Sequence, residues 1–74
     1  MYDMTESEFR TKFAQQLKDR IKICSYGVEY LSEQSGISAV SISKYLNEKA
    51  TPSIYNLRRL AKALHCSDAD LLDF

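Results

Sequence analysis

The stretch Val28-Glu29-Tyr30-Leu31-Ser32-Glu33-Gln34-Ser35-Gly36-Ile37-Ser38-Ala39-Val40-Ser41-Ile42-Ser43-Lys44-Tyr45-Leu46-Asn47 decides the fold. Gly36 suits the left-handed position that closes a helix, so residues 28–35 form one of about two turns, opened by Gly27 as a modest N-cap. Ser38 is a good N-cap for a second short helix over 39–46, and Asn47 is placed to terminate it. The joint is therefore Gly36-Ile37-Ser38, with an apolar residue at its second position. Leu31, Ile37, Ile42 and Tyr45 lie where two helices packed at a steep angle would meet, and Ser32 is small where they cross. This arrangement leaves the later helix with a bare, outward N-terminus. Ser38, Ala39, Val40, Ser41 and Lys44 then make a solvent-facing surface with no role in the core. Helices of two turns cannot stand alone, so the remainder of the chain must supply tertiary packing.

The flanking segments supply it. Thr5-Glu6-Ser7-Glu8 is a capping box, with Met4 and Phe9 placed for a hydrophobic staple across it, and Tyr2 reads as a disordered start. Phe9, Phe13, Leu17, Ile21 and Cys24 then recur at helical spacing, giving one apolar stripe on a helix over 6–24 whose other face carries Arg10, Lys12, Lys18, Arg20 and Lys22. Beyond Asn47, Thr51-Pro52-Ser53 breaks the chain and Ser53 caps a helix over 54–64, on which Ile54, Leu57, Leu60, Ala61 and Leu64 share a face. Ser67 and Asp70 form a second capping box, opening a short helix over 68–72 with Leu71 and Leu72. Tyr45 reads as core and Tyr55 as exposed. No apolar run alternates at period two. The fold class is all-α, a compact five-helix domain over residues 1–74.

Composition agrees. Seventy-four residues hold one core, and 45% hydrophobic residues suffice to build it. Two Gly and one Pro leave too few turn signals for a many-stranded protein. Ten Lys and Arg balance ten Asp and Glu, but the signs are segregated: residues 38–65 carry a net +4 and the tail from Asp68 to Asp73 a net −3. One face of a neutral chain can thus be basic. Cys24 and Cys66 form no C-x-x-C pair and read as small buried thiols rather than redox sensors. Adjacent His65 and Cys66 cannot both aim comfortably at one ion, and His65 reads as a helix C-terminal histidine; no metal and no cofactor is expected. No paired carboxylates, nucleophile–base set or Gly-rich phosphate loop is present, so an enzyme is not expected. Without a basic-then-apolar leader or an apolar run near ~18 residues, the expectation is a cytoplasmic protein with no membrane contact.

The residues Gly36-Ile37-Ser38, Ile42-Ser43-Lys44-Tyr45-Leu46-Asn47, Pro52-Ser53, Leu57, Leu60-Ala61 and Leu64 resemble the lambda-repressor/Cro-type helix-turn-helix family, also called the xenobiotic response element family. Cys66-Ser67 with Leu71-Leu72 resembles its fifth helix, so the resemblance spans Leu17 to Leu72. It implies a homodimer on double-stranded DNA with helix 39–46 in the major groove. By position it implies that Ala39, Val40 and Lys44 read base edges and that Ser38 and Ser41 reach base or phosphate. It also places Val28 at the first motif position, where members carry Gln against phosphate, and Asn47 and Lys49 beside the DNA backbone. The chain departs from the pattern at Val28, which cannot make that polar contact, at Glu48, which stands where Gly is common, and in a shorter connection around Cys24 to Tyr26.

Chemistry refines the roles. Ala39 and Val40 suit thymine methyl groups, and Lys44 suits guanine O6 and N7. A neutral monomer with three or four phosphate contacts has a salt slope of only about −3 to −4, so two copies on half-sites ~34 Å apart are expected. Leu71, Leu72 and Phe74 are the candidate dimer patch, with simple cover of the core the equal alternative. Arg58, Arg59 and Lys62 read as a solvated outer face, with phosphate tracking the less common alternative. The expected function is a sequence-specific DNA-binding transcriptional regulator acting as a repressor. Its rivals are an antitoxin-like module that couples DNA binding to a protein partner, and a degenerate helix-turn-helix domain that no longer binds DNA.

Overall fold

Ser or Thr stands at the N-cap of all but one helix in the computed structural model, which describes residues 3–74. The helices are α1 (Glu6–Cys24), α2 (Val28–Ser35), α3 (Ala39–Leu46), α4 (Ile54–Ala63) and α5 (Asp68–Leu71), and no strand occurs among the described residues. The hydroxyls of Thr5, Ser38, Ser53 and Ser67 accept the backbone N–H of Glu8, Ser41, Asn56 and Asp70 at 3.1, 3.1, 3.1 and 3.2 Å. Each satisfies a donor that has no partner inside its helix, a contribution of about 1 kcal/mol. Both expected capping boxes are complete. Only α2 lacks a side-chain cap, because its N-cap is Gly27.

The helix ends are less conventional. Ser25, Glu48 and His65 adopt left-handed backbone with φ of 58, 62 and 58°. Behind them Tyr26, Lys49 and Cys66 donate to the carbonyls of Ile21, Lys44 and Ala61 at 3.1, 2.8 and 2.9 Å. Three helices are thus closed by Schellman-type hydrogen bonds without glycine. Only α2 closes on one, Gly36, at φ 74°.

The five helix backbones pack in a ring: α1 on α3, α3 on α2, α2 on α4, α4 on α5 and α5 on α1. Inside it Phe13, Leu17, Leu31, Ile42, Leu60, Leu64 and Leu71 are fully buried, with residues from every helix or its cap. Phe13 meets the Tyr45 ring edge-on at 6.2 Å, and the Tyr45 hydroxyl accepts from Asn56 Nδ2 at 3.0 Å. Buried Tyr45 therefore keeps its polar end satisfied while joining α3 to the start of α4.

Four expectations need correction. Ile54 shares the three-four spacing of α4 but is 77% exposed, because it occupies the first helical position, beyond the end of the stripe that meets α2 and α5. Leu71 is fully buried, so it belongs to the core and not to a dimer patch; Leu72 and Phe74 keep 37% and 38% exposure, and Phe74 also packs edge-on against Phe9 at 5.5 Å. Helices α4 and α5 end one residue early, with Leu64 and Leu72 as their C-caps. His65 takes the left-handed position after α4 and its Nε2 pairs with the Tyr26 hydroxyl at 3.0 Å, tying the turn after α1 to the turn after α4. The reading of Tyr2 lies outside the described residues.

Both cysteines are half-buried. Cys24 donates to the Leu64 carbonyl at 3.5 Å, and burial pushes the Cys66 thiol above its ordinary pKa.

Candidate nucleic-acid interface

The geometry at the Gly36 turn fixes how α3 is presented. Gly36 N–H donates to the Ser32 carbonyl at 2.8 Å, the Ser32 hydroxyl donates to the Ile37 carbonyl, and Ile37 N–H donates to the buried Ser35 hydroxyl at 3.2 Å. Two small hydroxyl residues therefore satisfy the Ile37 backbone N–H and carbonyl. Ile37 is buried at 4% exposure and anchors the turn in the core. The guanidinium of Arg59 lies directly against Gly36, in the space a Cβ would fill.

From that anchor α3 buries Ile42 and Tyr45 and turns its other side outward. Val40 is 66% exposed, and Lys44, one turn later, is exposed. Ala39 is half-buried beside them. With Ser43, Asn47 and Lys49, these three residues line one open concavity that contains two cations and no carboxylate. An uncovered apolar group and an ammonium on one helix face can meet a thymine methyl and a guanine acceptor edge in a major groove.

The supporting residues divide. Ser38 and Ser41 are occupied by capping: Ser41 N–H donates to Ser38, whose own hydroxyl pairs with that of Ser41 at 3.0 Å. Asn47 Nδ2 donates to the Ser43 carbonyl at 2.9 Å, closing the end of α3. Lys49 is exposed. Val28 packs against the core, so the first motif position here supports the fold and offers no hydrogen bond to a ligand. The Glu48 carboxylate accepts the Thr11 hydroxyl of α1 at 2.6 Å and takes no part in lining the concavity. The loop after α3 is held to α1 a second time, where Thr51 accepts from Arg10 Nε and donates to Glu6, both at 2.9 Å.

Ser43 is the surface residue that sequence reasoning missed. Its spacing, three after Val40 and four before Asn47, puts it on the same face. Among the described residues no group of three His, Cys, Asp or Glu is placed to hold a metal ion, and no helix is long and apolar enough to cross a membrane.

A five-helix ring that presents the second of two short, turn-linked helices defines a helix-turn-helix protein. Residues 25–71 match the helix-turn-helix family model HTH_3. The match covers more than half of the chain, and the protein belongs to that lambda-repressor/Cro-like family. Among solved structures, the crystal structure of an HTH_3 family transcriptional regulator from Vibrio cholerae superposes with a TM-score of 0.89 at 22% sequence identity, over 93% of this chain and 39% of that one. At that identity the likeness is one of fold, and the chain spans well under half the length of that relative. No curated protein matches the chain.

Proposed function

We propose that the protein is a sequence-specific DNA-binding transcriptional regulator that places α3 in the major groove. The observation that carries this reading is the pair Val40 and Lys44, exposed one helical turn apart on a helix whose other side is locked into the core. Val40 and Ala39 pack on thymine methyls, and Lys44 donates to guanine O6 and N7. Lys49 and the backbone around Asn47 contact phosphate and set register without reading sequence. The N-terminus of α3 has no acidic residue in its first turn, which leaves the positive end of the helix dipole free to face the anionic groove.

Binding involves no catalytic step, and regulation follows from occupying a promoter, most simply as a repressor. Two copies on half-sites ~34 Å apart would combine their contacts, with Leu72 and Phe74 the remaining apolar candidates for the surface between them.

The test is selection from random duplex DNA at two salt concentrations, with Lys44→Ala run alongside. Half-sites containing G and T are expected, with the preference for G lost in the variant at a cost of about 1–3 kcal/mol in discrimination. Equal binding to every sequence would instead identify a domain that has kept its fold without reading DNA.

A further inference from the structure

The outer side of α4 carries a feature that the α3 surface does not use. Between α4 and α5 lies a groove of about 430 Å3, large enough for side chains rather than a lone ion. Its apolar lining comes from the half-buried Cys66 and the exposed ring of Tyr55, with Ala61 buried beneath them. Its rim is cationic: Arg58, Arg59 and Lys62 stand around it with a single carboxylate, Asp68. That carboxylate lies 3.7 Å from an Arg58 side chain that is 72% exposed and offsets one of the three positive charges. The neighbouring Asp70 is engaged elsewhere, accepting from Ser67 N–H at 2.9 Å and facing Arg20 at 3.6 Å. Lys62 makes no ion pair among the described residues. Arg59 rests with its guanidinium carbon 5.0 Å from the Tyr55 ring centre and its end against Gly36, a flexible cation at the edge of the groove.

We propose that this groove docks an acidic segment of a partner protein, one that sets an apolar side chain on that lining and carboxylates against Arg58, Arg59 and Lys62. Both halves of the site argue for that occupant. Three cations against one carboxylate leave a local positive excess on a chain that is neutral overall, and an anionic partner complements it. The lining also offers apolar contact at Cys66 and at a Tyr55 that is 69% exposed, a contact that a phosphate group does not use. The groove shares no residue with the α3 concavity, so the two ligands do not compete for the same side chains.

The test is selection of a random-peptide library on the intact protein, followed by fluorescence anisotropy with the enriched peptide. Enriched peptides should carry carboxylates on both sides of an apolar residue, and their affinity should fall by about tenfold in the Arg58→Ala/Lys62→Ala variant, as for loss of two solvent-exposed charge pairs. Unfolding profiles of that variant and the parent should coincide, since both substituted side chains are exposed. Lys44→Ala should bind the peptide normally, so failure of the DNA reading and failure of this one are separable. Enrichment of peptides without acidic residues, no enrichment, or undiminished binding by the Arg58/Lys62 variant would overturn the proposal. Displacement of the peptide by random duplex DNA, with parallel loss of DNA binding in that variant, would overturn it in favour of a phosphate-tracking role.

Discussion

Replacing Gly36 by Ala tests the joint on which the presentation of α3 depends. Gly36 has φ 74°, and an L-residue held in left-handed backbone costs roughly 1–2 kcal/mol. The second consequence is steric: the new methyl group falls on the Arg59 guanidinium. That neighbour is the far end of a flexible side chain on the protein surface, so it can move aside cheaply and the backbone term dominates. For a domain of this size, 1 kcal/mol lowers the melting midpoint by about 4–8 °C, so Gly36→Ala should lower it by about 5–15 °C in a circular-dichroism melt. The same substitution in an Arg59→Ala background isolates the cause. Backbone strain predicts that the loss persists there at nearly its full size. An unchanged midpoint in the single variant, or a loss that vanishes once Arg59 is truncated, would refute the assignment of strain to this joint.

Ser25→Gly should do the reverse. Ser25 is exposed at φ 58°, and glycine there should raise stability by about 1 kcal/mol in urea unfolding. Acid titration should weaken the two capping boxes. Thr5 and Ser67, through the backbone N–H first and the hydroxyl second, hold the carboxyls of Glu8 and Asp70 below their ordinary pKa. Depressed carboxyls stabilise the fold above the ordinary carboxylate range, and the contribution is lost as pH falls through their lower folded values. Thr5→Ala and Ser67→Ala should each shrink that acid-dependent loss, as followed by melts across pH. Cys66, whose thiol burial pushes upward, should alkylate with iodoacetamide more slowly at neutral pH in the native protein than in urea.

Much of the fold was legible because its signals are local. The Thr5/Glu8 and Ser67/Asp70 boxes, the caps at Ser38 and Ser53 and the glycine end at Gly36 each specify a helix boundary within four residues of sequence. The stripe Phe9, Phe13, Leu17, Ile21 and Cys24 lies on or against the core as its spacing predicts. What escaped depends on distant partners. Ile54 has the right phase on α4, but phase does not say where the neighbouring helices stop. Leu71 and Leu72 are adjacent apolar residues, and only the approach of α1 and α4 decides which is buried. Left-handed Ser25, Glu48 and His65 leave no glycine to read. The exposure of Val40 and Lys44 was legible as apolar and cationic residues with no place in the three-four pattern. The direction of Glu48 was not, since Thr11 lies 37 positions away.

That last contact bears on how a neutral chain could bind DNA. The acids of this protein are largely engaged within it: Glu8 and Asp70 in capping boxes, Glu6 with Arg10 and Thr51, Glu48 with Thr11, Asp68 with Arg58. Lys44, Lys49 and Lys62, by contrast, form no ion pair among the described residues. Net charge therefore says little about the field at α3, where two ammonium groups face outward with no carboxylate lining the same concavity. Affinity for DNA follows the number of phosphates neutralised, with a slope of about −0.9 per phosphate in log–log plots against salt. On the proposed reading a single copy reaches only three or four phosphates, a slope of about −3 to −4, and two copies on adjacent half-sites double it. The measured slope thus counts protein copies on the DNA. Because Lys49 stands beside the backbone rather than the bases on this reading, Lys49→Ala should flatten the slope by about one unit per copy while leaving sequence preference intact, whereas Lys44→Ala should remove preference.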